Sequence, residues 1–304
     1  MKIVNFASAN IDYVYDVNHI VRPGETISAK TMEIFAGGKG LNQSVAIAKA
    51  GGCVYHAGFI GSDGGFLLKI LQDCGAKPDY ICQVEEKNGH AIIQVNQKGE
   101  NCIVVFPGTN ALVSRTYIDK VLADFTRGDM VILQNEIANL PYIMEKAHKK
   151  GLSIVLNPSP FEEKLKELDL NLISCLILNE TEAQGIFGTD DPSRIHCALK
   201  AGYPRLKVVL TRGAKGCVYL DEKENLPCPA YQVEAVDTTA AGDCFTGYFV
   251  SLVASGADYE KALRIASAAS AITVSRRGAA PSIPYIQEVY AALDALKPYP
   301  SQSE

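Results

Sequence analysis

Asp237-Thr238-Thr239-Ala240-Ala241-Gly242-Asp243 joins a predicted β-like run at residues 229–236 to a predicted helix at residues 241–255. The first backbone N–H groups of a helix have no partner inside the helix, and the helix dipole adds positive charge at the same end. A strand that passes through this turn into a helix therefore predicts an anion site, such as a phosphate site, at residues 241–243.

Asp243 lies in the first turn of that predicted helix, and its carboxylate has two interpretations. The ordinary one is that an acid at a helix start complements the dipole. The other is that the carboxylate takes a proton from a hydroxyl group that attacks a bound phosphate. The stretch alone does not decide between them, so the rest of the chain must.

Apolar runs upstream of this stretch indicate the fold class. They lie at residues 131–133, 154–156, 176–178 and 208–210, and predicted helices near 140–150, 180–187 and 190–201 separate them. Continuous apolar strands between helices are typical of a parallel sheet covered on both faces. We predict one doubly wound α/β domain over residues 1–304, with two further helices at 259–274 and 284–296.

Two other segments, at about residues 12–36 and 89–108, alternate apolar and polar side chains. Such strands have one polar face and do not fit inside a fully covered sheet. We expect them to form a small β lid over the carboxyl edge of the main sheet, where α/β folds bind ligands. We also expect the lid to leave an apolar face and a free edge, which a second copy of the chain would cover.

Composition narrows the possible partners. A formal net charge of -5 without a basic cluster argues against nucleic acid, and no apolar run reaches the ~20 residues of a membrane span. The N-terminal residues already look like a strand and not a signal peptide. The nine cysteines are scattered without a C-x-x-C pair, so we expect mostly buried free thiols in a cytoplasmic protein. The last four residues, 301–304, are expected to fray.

Three well-known nucleotide and hydrolase motifs are missing from the sequence. Lys39 is followed by Gly40, so the P-loop pattern is not met, and neither a dinucleotide-binding G-x-G-x-x-G nor a hydrolase G-x-S-x-G occurs. Polar residues do follow six predicted strands or turns. These sets are Asn10 and Asp12, residues 37–42, 134–136, 157–158, 179–182 and 211–216. Together they predict a ligand site along the carboxyl edge of the sheet.

Four segments of the chain, two of them among these polar sets, resemble the ribokinase/phosphofructokinase-B family of sugar kinases. Gly37-Gly38-Lys39-Gly40-x-Asn42-Gln43 and the 237–243 stretch are similar to its two signatures. Asn179-x-x-Glu182 resembles its N-x-x-E motif, and Arg276-x-Gly278-Ala279-Ala280-Pro281-Ser282 resembles its C-terminal loop. The resemblance covers the whole chain, explains the lid, and favours the ribokinase branch over the adenosine and fructose kinase branches.

The resemblance implies an ATP-dependent kinase that phosphorylates the 5-hydroxyl of D-ribose. Asp243 would be the general base, and the N–H groups of Ala241, Gly242 and Asp243 would form an anion hole for the transferring phosphoryl group. The residues implied to hold the sugar are Asn10, Asp12, Gly38, Lys39, Asn42, Glu136 and Asp243.

The resemblance also implies ATP, Mg²⁺ and K⁺ as cofactors and a homodimer that forms through the lid. The residues implied to contact ATP are Asn179, Thr211, Gly213, Gly216 and Gly242. Glu182 and Asn179 would act on Mg²⁺, partly through water. The residues implied to surround K⁺, several through backbone carbonyls, are Asp237, Thr239, Thr273, Arg276, Gly278 and Ser282.

Two alternatives remain open at this point. The chain departs from the family pattern at Leu41 and Asn135, next to two implied sugar contacts. The substrate could therefore be another sugar or a nucleoside. A non-catalytic sugar or nucleotide sensor is the second alternative, although such a protein is expected to lack a base at the position of Asp243.

Overall fold

A computed structural model describes residues 1–299, so the prediction for residues 301–304 lies outside the described chain. The strands are β1 Ile3–Phe6, β2 Asn10–Val17, β3 Thr31–Gly37, β4 Val54–Ile60, β5 Lys77–Gln83, β6 Gly89–Asn96, β7 Asn101–Phe106, β8 Met130–Gln134, β9 Ser153–Asn157, β10 Cys175–Asn179, β11 Lys207–Thr211, β12 Cys217–Leu220 and β13 Asn225–Cys228. The helices are α1 Lys39–Lys49, α2 Gly65–Asp73, α3 Arg115–Leu122, α4 Leu140–Lys150, α5 Glu180–Phe187, α6 Pro192–Gly202, α7 Ala241–Ala254, α8 Tyr259–Val274 and α9 Ile286–Ala292.

The main sheet has nine strands in the order β13-β12-β11-β10-β9-β8-β1-β4-β5. Its pairs from β11 to β5 are parallel, and the β11–β12 and β12–β13 pairs are antiparallel, so among the described strands β12 alone runs against the others. The direction of strand order reverses beside β1, and ligands bind at such switch points outside the carboxyl ends of the strands. The predicted doubly wound α/β fold is confirmed.

Helices cover both faces of this sheet. Successive residues of a strand point to opposite faces, and the apolar side chains on each face pack against helices. Ile3 packs into a core with residues of α1, α7 and α8, whereas the next residue, Val4, packs into a second core with residues of α3 and α4. Both side chains are at most 1% exposed. This two-sided burial explains why the parallel strands read as continuous apolar runs.

The lid is a separate sheet of four strands in the order β3-β2-β6-β7. Its central pair, β2 and β6, is parallel, and the two outer pairs are antiparallel. Since only three residues lie between the end of β1 and the start of β2, the lid starts at the carboxyl edge of the main sheet. The predicted lid is confirmed, with strand bounds of 10–17, 31–37, 89–96 and 101–106.

Several local predictions were wrong. Residues 229–236 form no strand apart from one bridge between Tyr231 and Pro298, which includes the hydrogen bond from Gln232 N–H to Lys297 O. Val236 N–H donates instead to Val274 O at the end of α8. Strand β5 and the antiparallel strands β12 and β13 were not predicted. The last helix spans Ile286–Ala292, shorter than the predicted 284–296.

The cysteines also differ from expectation. All nine are free thiols, but only three are buried and three are exposed. The buried ones are Cys175, Cys217 and Cys244, and the exposed ones are Cys53, Cys102 and Cys197. Among residues 1–299, the structure has no helix with both the length and the apolar character that crossing a membrane requires.

Candidate active site

Two adjoining clefts lie at the carboxyl edge of the main sheet, where α7 begins. One is polar, about 230 Å³ in volume, and is lined by residues that include Lys39, Asn179, Glu182 and Asp243. The other is about 350 Å³ and is lined mainly by small and apolar side chains. Both clefts share Thr211, Thr238, Ala241 and Gly242 as lining residues. A ligand with an apolar part and an anionic part would fit across this junction.

Asp243 is buried in the first turn of α7, with 7% of its surface exposed. Its two carboxylate oxygens accept hydrogen bonds from neighbouring residues of α1. Asn42 Nδ2 donates to Oδ2 at 3.0 Å, and Gln43 Nε2 donates to Oδ1 at 3.0 Å. Helices α1 and α7 pack closely at Gly247, which has no side chain. A Cβ at this position would be only 2.4 Å from the Ala46 Cβ. Contact between the helices thus holds the carboxylate in one orientation.

A chain of buried amides continues behind Asp243. Gln43 Oε1 accepts a hydrogen bond from Gln134 Nε2 at 2.7 Å, and the same nitrogen donates to Asn5 Oδ1 at 3.0 Å. Gln43 Nε2 also donates to Asn157 Oδ1 at 3.1 Å. No specific role was predicted for Gln43, Gln134 or Asn5 from the sequence. The available signals were that Gln43 belongs to the 37–43 motif and that Gln134 belongs to the polar set at residues 134–136.

The predicted anion site, residues 241–243, directly follows Ala240 at the start of α7. Ala240 has φ 61°, a left-handed conformation that costs a non-glycine residue about 1–2 kcal/mol, so the turn is strained. Within the described residues, the N–H groups of Gly242 and Asp243 have no acceptor, while Ala241 N–H makes a long bond of 3.3 Å to Thr238 O. A Cβ on Gly242 would meet no atom within 4 Å. Two of the three predicted N–H groups are therefore free to bind an anion from the open cleft.

Lys39 lies between the acidic residues of the site. Burial lowers the pKa of its ammonium group, but the carboxylates of Asp243, Glu136 and Glu182 together raise that pKa above its ordinary value. The ammonium makes no ion pair within 4.0 Å in the described part of the chain. It is a cation that an anionic ligand can reach.

The residues predicted to hold a sugar come together where β1, β3 and β8 end. Glu136 Oε2 accepts hydrogen bonds from Ser8 Oγ and from the Lys39 backbone N–H. Asn10 Oδ1 accepts one from Asn110 Nδ2 at 2.7 Å. Asn42 Oδ1 is buried and has no partner among residues 1–299, which leaves one acceptor for a ligand hydroxyl. Gly38 has φ 90° at the turn into α1.

Asp12 lies in β2 with its carboxylate over Gly37, where a Cβ would be only 2.0 Å from Oδ2. Burial, together with the nearby Glu136 carboxylate, raises the pKa of Asp12 to about 7. Burial likewise raises the pKa of Glu136. Two poorly solvated carboxylates that face one region are suited to accept hydrogen bonds from the hydroxyl groups of a polyol.

Asn179 and Glu182 form a capping box at the start of α5. Asn179 Oδ1 accepts from Glu182 N–H, and Glu182 Oε2 accepts from Asn179 N–H, both at 2.9 Å. Both residues line the polar cleft, and Glu182 Oε1 remains unbonded within the described chain. No group of three His, Cys, Asp or Glu residues with metal-ligand geometry exists in residues 1–299. A divalent ion here would need oxygen ligands from a bound phosphate and from water.

The predicted cation loop is organised by Asp237. Its Oδ1 accepts from Thr239 N–H at 2.9 Å, and its Oδ2 accepts from Gly278 N–H at 3.0 Å. Burial opposes ionisation of Asp237, but these hydrogen bonds hold its pKa below the ordinary value. The side chains of Thr273 and Ser282 donate to Ala269 O and Ala279 O, and Arg276 pairs with Glu288. Three of the predicted side chains are thus engaged elsewhere, which leaves their backbone carbonyls.

The apolar cleft contains the other predicted nucleotide residues: Thr211, Gly213 and Gly216. Gly216 has φ 87°, and a Cβ there would be 2.1 Å from Cys228 O, so glycine is required for this backbone contact. Tyr231, Phe245 and Val274 supply apolar surface that the sequence analysis did not identify. Their positions at the wall depend on the loop at residues 229–236 and on helix packing.

The side chains of Leu41 and Asn135, two positions where the chain departs from the family pattern, are both buried. Leu41 is fully buried in the core on the α1 side of the sheet. Asn135 donates from Nδ2 to Pro160 O at 2.8 Å. Packing therefore accommodates Leu41, and a backbone contact accommodates Asn135.

Comparison with known proteins agrees with this geometry. The family description "pfkB family carbohydrate kinase" matches residues 1–286. A ribokinase of Haemophilus influenzae is 34% identical over 296 residues, which cover 94% of this chain and 96% of that protein. A deoxyribokinase of Salmonella typhi is 30% identical over 300 residues, covering 95% and 97%. The structure of Arabidopsis thaliana ribokinase complexed with ribose and ATP has a TM-score of 0.82 and 31% identity, covering 96% of this chain and 98% of that chain.

Proposed function

Because this chain belongs to the pfkB family of carbohydrate kinases, we propose that it transfers the γ-phosphate of ATP to the 5-hydroxyl of D-ribose. It is a sugar kinase, and the ribokinase relatives favour ribose as the acceptor. One observation is the main support for phosphoryl transfer with a general base. A buried carboxylate, Asp243, is held in place by two amide donors next to free N–H groups at the start of α7.

In the proposed reaction, Asp243 accepts the proton of the sugar hydroxyl while the hydroxyl oxygen attacks the γ-phosphorus. The bond from the γ-phosphorus to the β,γ-bridging oxygen breaks, and ADP leaves. Gly242 N–H and Asp243 N–H donate hydrogen bonds to the transferring group. The Lys39 ammonium, which lies among carboxylates on both the sugar and the phosphate side, adds positive charge at the same place.

The two clefts match the two ends of ATP. The apolar cleft, with Thr211, Gly213 and Gly216, would hold the nucleoside, and the polar cleft would hold the phosphates. Asn179 and Glu182 would hold Mg²⁺, largely through water, since one Glu182 oxygen is unbonded and faces the polar cleft. When bound, Mg²⁺ neutralises part of the phosphate charge. Gly242, at the junction of the clefts, would contact both the nucleotide and the transferring phosphoryl group.

The 237–282 region would hold K⁺ beside the anion site. Asp237 brings the Thr239 and Gly278 backbones together, and carbonyls of this loop are the ligand type that K⁺ takes. The engaged side chains of Thr273, Arg276 and Ser282 favour a contribution through their backbone oxygens. Bound K⁺ would stabilise the strained turn at Ala240. Nine free thiols together with the need for ATP favour a cytoplasmic location.

The acceptor is tested by measuring ADP release with Mg²⁺ and K⁺ over a panel of D-ribose, 2-deoxyribose, fructose and inosine. We expect ribose to have the highest kcat/KM. A site that hydrogen-bonds every hydroxyl group rejects an analogue that lacks one, so 2-deoxyribose should be slower by at least about tenfold. Preferred turnover of 2-deoxyribose would assign the chain to the function of its deoxyribokinase relatives, and no turnover of ribose would exclude the proposal.

Sugar affinity is expected to depend on pH through Asp12. Its pKa of about 7 means that the carboxyl group is protonated at lower pH, whereas the ionised form accepts hydrogen bonds from sugar hydroxyls. The dissociation constant for ribose should therefore rise by up to about tenfold per pH unit below pH 7 and level off above it. Calorimetry without ATP measures this constant and avoids the titration of the nucleotide.

Asp12→Asn provides the control for this pH dependence. The variant should bind ribose weakly with little change around pH 7. It should also unfold at a higher temperature at pH 8, because a raised carboxyl pKa makes the ionised form destabilising above that pKa. The variant and the wild-type protein should unfold at similar temperatures at pH values where Asp12 is protonated in both the folded and the unfolded chain. A wild-type ribose affinity that is constant across pH 6 to 8 would contradict the sugar role of Asp12.

The outer face of the lid favours a homodimer. Ile34, Ile92 and Val104 are linked through direct cross-strand register, so they share the face opposite to Asp12, and they are 52%, 42% and 63% exposed. A second lid would cover this apolar row and the free edge of β7.

Val104→Asp should therefore convert a dimer into a monomer in light scattering. The same change at Phe66, an exposed residue of α2, should leave the dimer intact, and a monomeric wild-type chain would exclude the proposal.

A further inference from the structure

Two of the nine cysteines form a pair that the proposed reaction does not use. Cys217 in β12 and Cys228 in β13 are direct partners in the antiparallel register. Both sulfurs also approach the same hydroxyl oxygen, Ser267 Oγ, at 3.6 and 3.8 Å. In an antiparallel pair, the Cβ atoms of opposite residues are about 4.5–5.5 Å apart, close to the distance of about 3.5–4.5 Å in a disulfide.

The two thiols differ in acidity and in exposure. The hydrogen bond from Cys217 lowers the pKa of Cys228, whereas the same interaction, with burial, raises the pKa of Cys217. Cys228 is partly exposed on the edge strand of the main sheet, and Cys217 is 3% exposed. Cys228 is therefore the thiol that solvent reaches and that ionises first, which is the condition for attack on an oxidant.

We propose that Cys217 and Cys228 are a redox-sensitive dithiol that closes to an intrachain disulfide and thereby weakens nucleotide binding. The oxidant is a low-molecular-weight disulfide. The Cys228 thiolate attacks one of its sulfurs and releases one thiolate, which leaves a mixed disulfide on Cys228. Cys217 then attacks the Cys228 sulfur, loses its proton to solvent and releases the second thiol. Two protein thiols are oxidised, and one small disulfide is reduced.

Closure requires only a small movement of an edge. Strand β13 spans four residues, has a partner on one side only, and is half-exposed. A small shift of β13 toward β12 can therefore shorten the distance between the two Cβ atoms without breaking the parallel core of the sheet.

The pair is connected to the apolar cleft by direct contact. Cys217 lines that cleft, as does its neighbour Gly216. The carbonyl of Cys228 packs against Gly216 so closely that a Cβ there would be 2.1 Å from the oxygen. A shift of the Cys228 backbone must move Gly216 and the cleft wall with it. This part of the inference depends on the proposed function, because it takes the cleft to be the ATP site.

The test uses a background in which the exposed thiols, Cys53, Cys102 and Cys197, are replaced by Ser. The full-length protein is treated with oxidised glutathione, and peptide mass mapping identifies the linked residues. We expect loss of two hydrogen atoms in a 217–228 linked peptide. Calorimetry with ATP should then give a dissociation constant about three- to tenfold higher, and dithiothreitol should restore it. Cys228→Ser and Cys217→Ser in the same background should show no change in ATP affinity on oxidation.

Each outcome bears on the proposal. Formation of the 217–228 disulfide with weaker ATP binding supports it. A stable glutathione adduct on Cys228 that Cys217 does not displace would overturn it, as would a disulfide that leaves the ATP affinity unchanged. If the reduced protein binds no ATP, the proposed kinase function fails, whereas the peptide map still decides whether the dithiol closes. Phenylarsine oxide, which bridges neighbouring thiols, should bind the reduced pair and not the single Ser variants.

Discussion

Asp243→Asn is expected to lower kcat by ~10² or more while the affinity for ribose is retained. The variant removes the proton acceptor from the proposed reaction without changing the size of the side chain. Stopped-time assays of ADP release give kcat, and calorimetry gives the ribose dissociation constant. A kcat within about twofold of the wild-type value would exclude Asp243 as the base.

The hydrogen bonds around Asp243 indicate that the variant will fold. Gln43 cannot reverse its amide group without pointing its nitrogen at the Gln134 nitrogen that now donates to it. Asn42 can reverse its amide, because its Oδ1 has no partner in the described chain. An amide at position 243 can therefore accept from Gln43 on one side and donate to Oδ1 of the reversed Asn42 on the other, and Asn42 Nδ2 is then free to donate to the sugar hydroxyl oxygen in place of Oδ1. Loss of activity with an unchanged unfolding temperature is the expected combination.

A matched control tests whether any Asp-to-Asn change at a helix start has the same effect. Asp258 caps α8 by accepting from Lys261 N–H at 2.7 Å, and it does not line either cleft. Asn is as good a helix cap as Asp, so Asp258→Asn should leave both kcat and stability near the wild-type values. Equal losses in the two variants would point to a general effect on helix ends.

Gln43→Met is expected to lower kcat by about ten- to a hundredfold with little change in the KM for ATP. Gln43 Nε2 is one of the two donors that orient the Asp243 carboxylate, so its loss lets the base rotate away from the sugar hydroxyl. Met has a similar volume and no donor. Stability should also fall by ~1–3 kcal/mol, since the buried Gln134 Nε2 loses an acceptor and the partly buried Asn157 Oδ1 loses a donor.

Gln134→Met separates positioning from stability. Gln134 supports Gln43 from behind at 2.7 Å but does not contact Asp243. It is buried, with 1% of its surface exposed, so its replacement should cost stability comparable to that of Gln43→Met. We expect its kcat to fall by less. If the two variants lose kcat in proportion to their loss of stability, the role of Gln43 is structural only.

Several residues that line the polar cleft of the candidate site could be selected from the sequence because they lie in short motifs. Asp243, Asn42 and Lys39 are recognisable from the 37–43 and 237–243 stretches, whose glycines and polar residues have few other uses in that order. The apolar wall of the proposed nucleotide cleft was not predictable, since Tyr231 and Val274 carry no pattern that distinguishes them from core residues. The 229–236 run was misread because its N–H groups find partners in distant segments.

The cysteines show the same limit. Eleven positions separate Cys217 from Cys228, and nothing in that spacing indicates a pair. They become neighbours only because β12 and β13 pair antiparallel around a turn whose register places them opposite each other. Register depends on the turn and on the burial of both strands, which the sequence specifies only through the assembled sheet.

By itself, the sequence determined the α/β class, the lid and the chemical groups of the candidate site. Local hydrophobic periodicity indicates the first two, and short motifs contain the third. The tertiary structure decided how those groups act together. It brings Asn42 and Gln43 to Asp243 across about two hundred residues, holds Ala240 in a strained turn that frees two N–H groups, and removes enough water from Asp12 to raise its pKa to about 7. Orientation, strain and desolvation arise from packing between distant segments, and no local pattern encodes them.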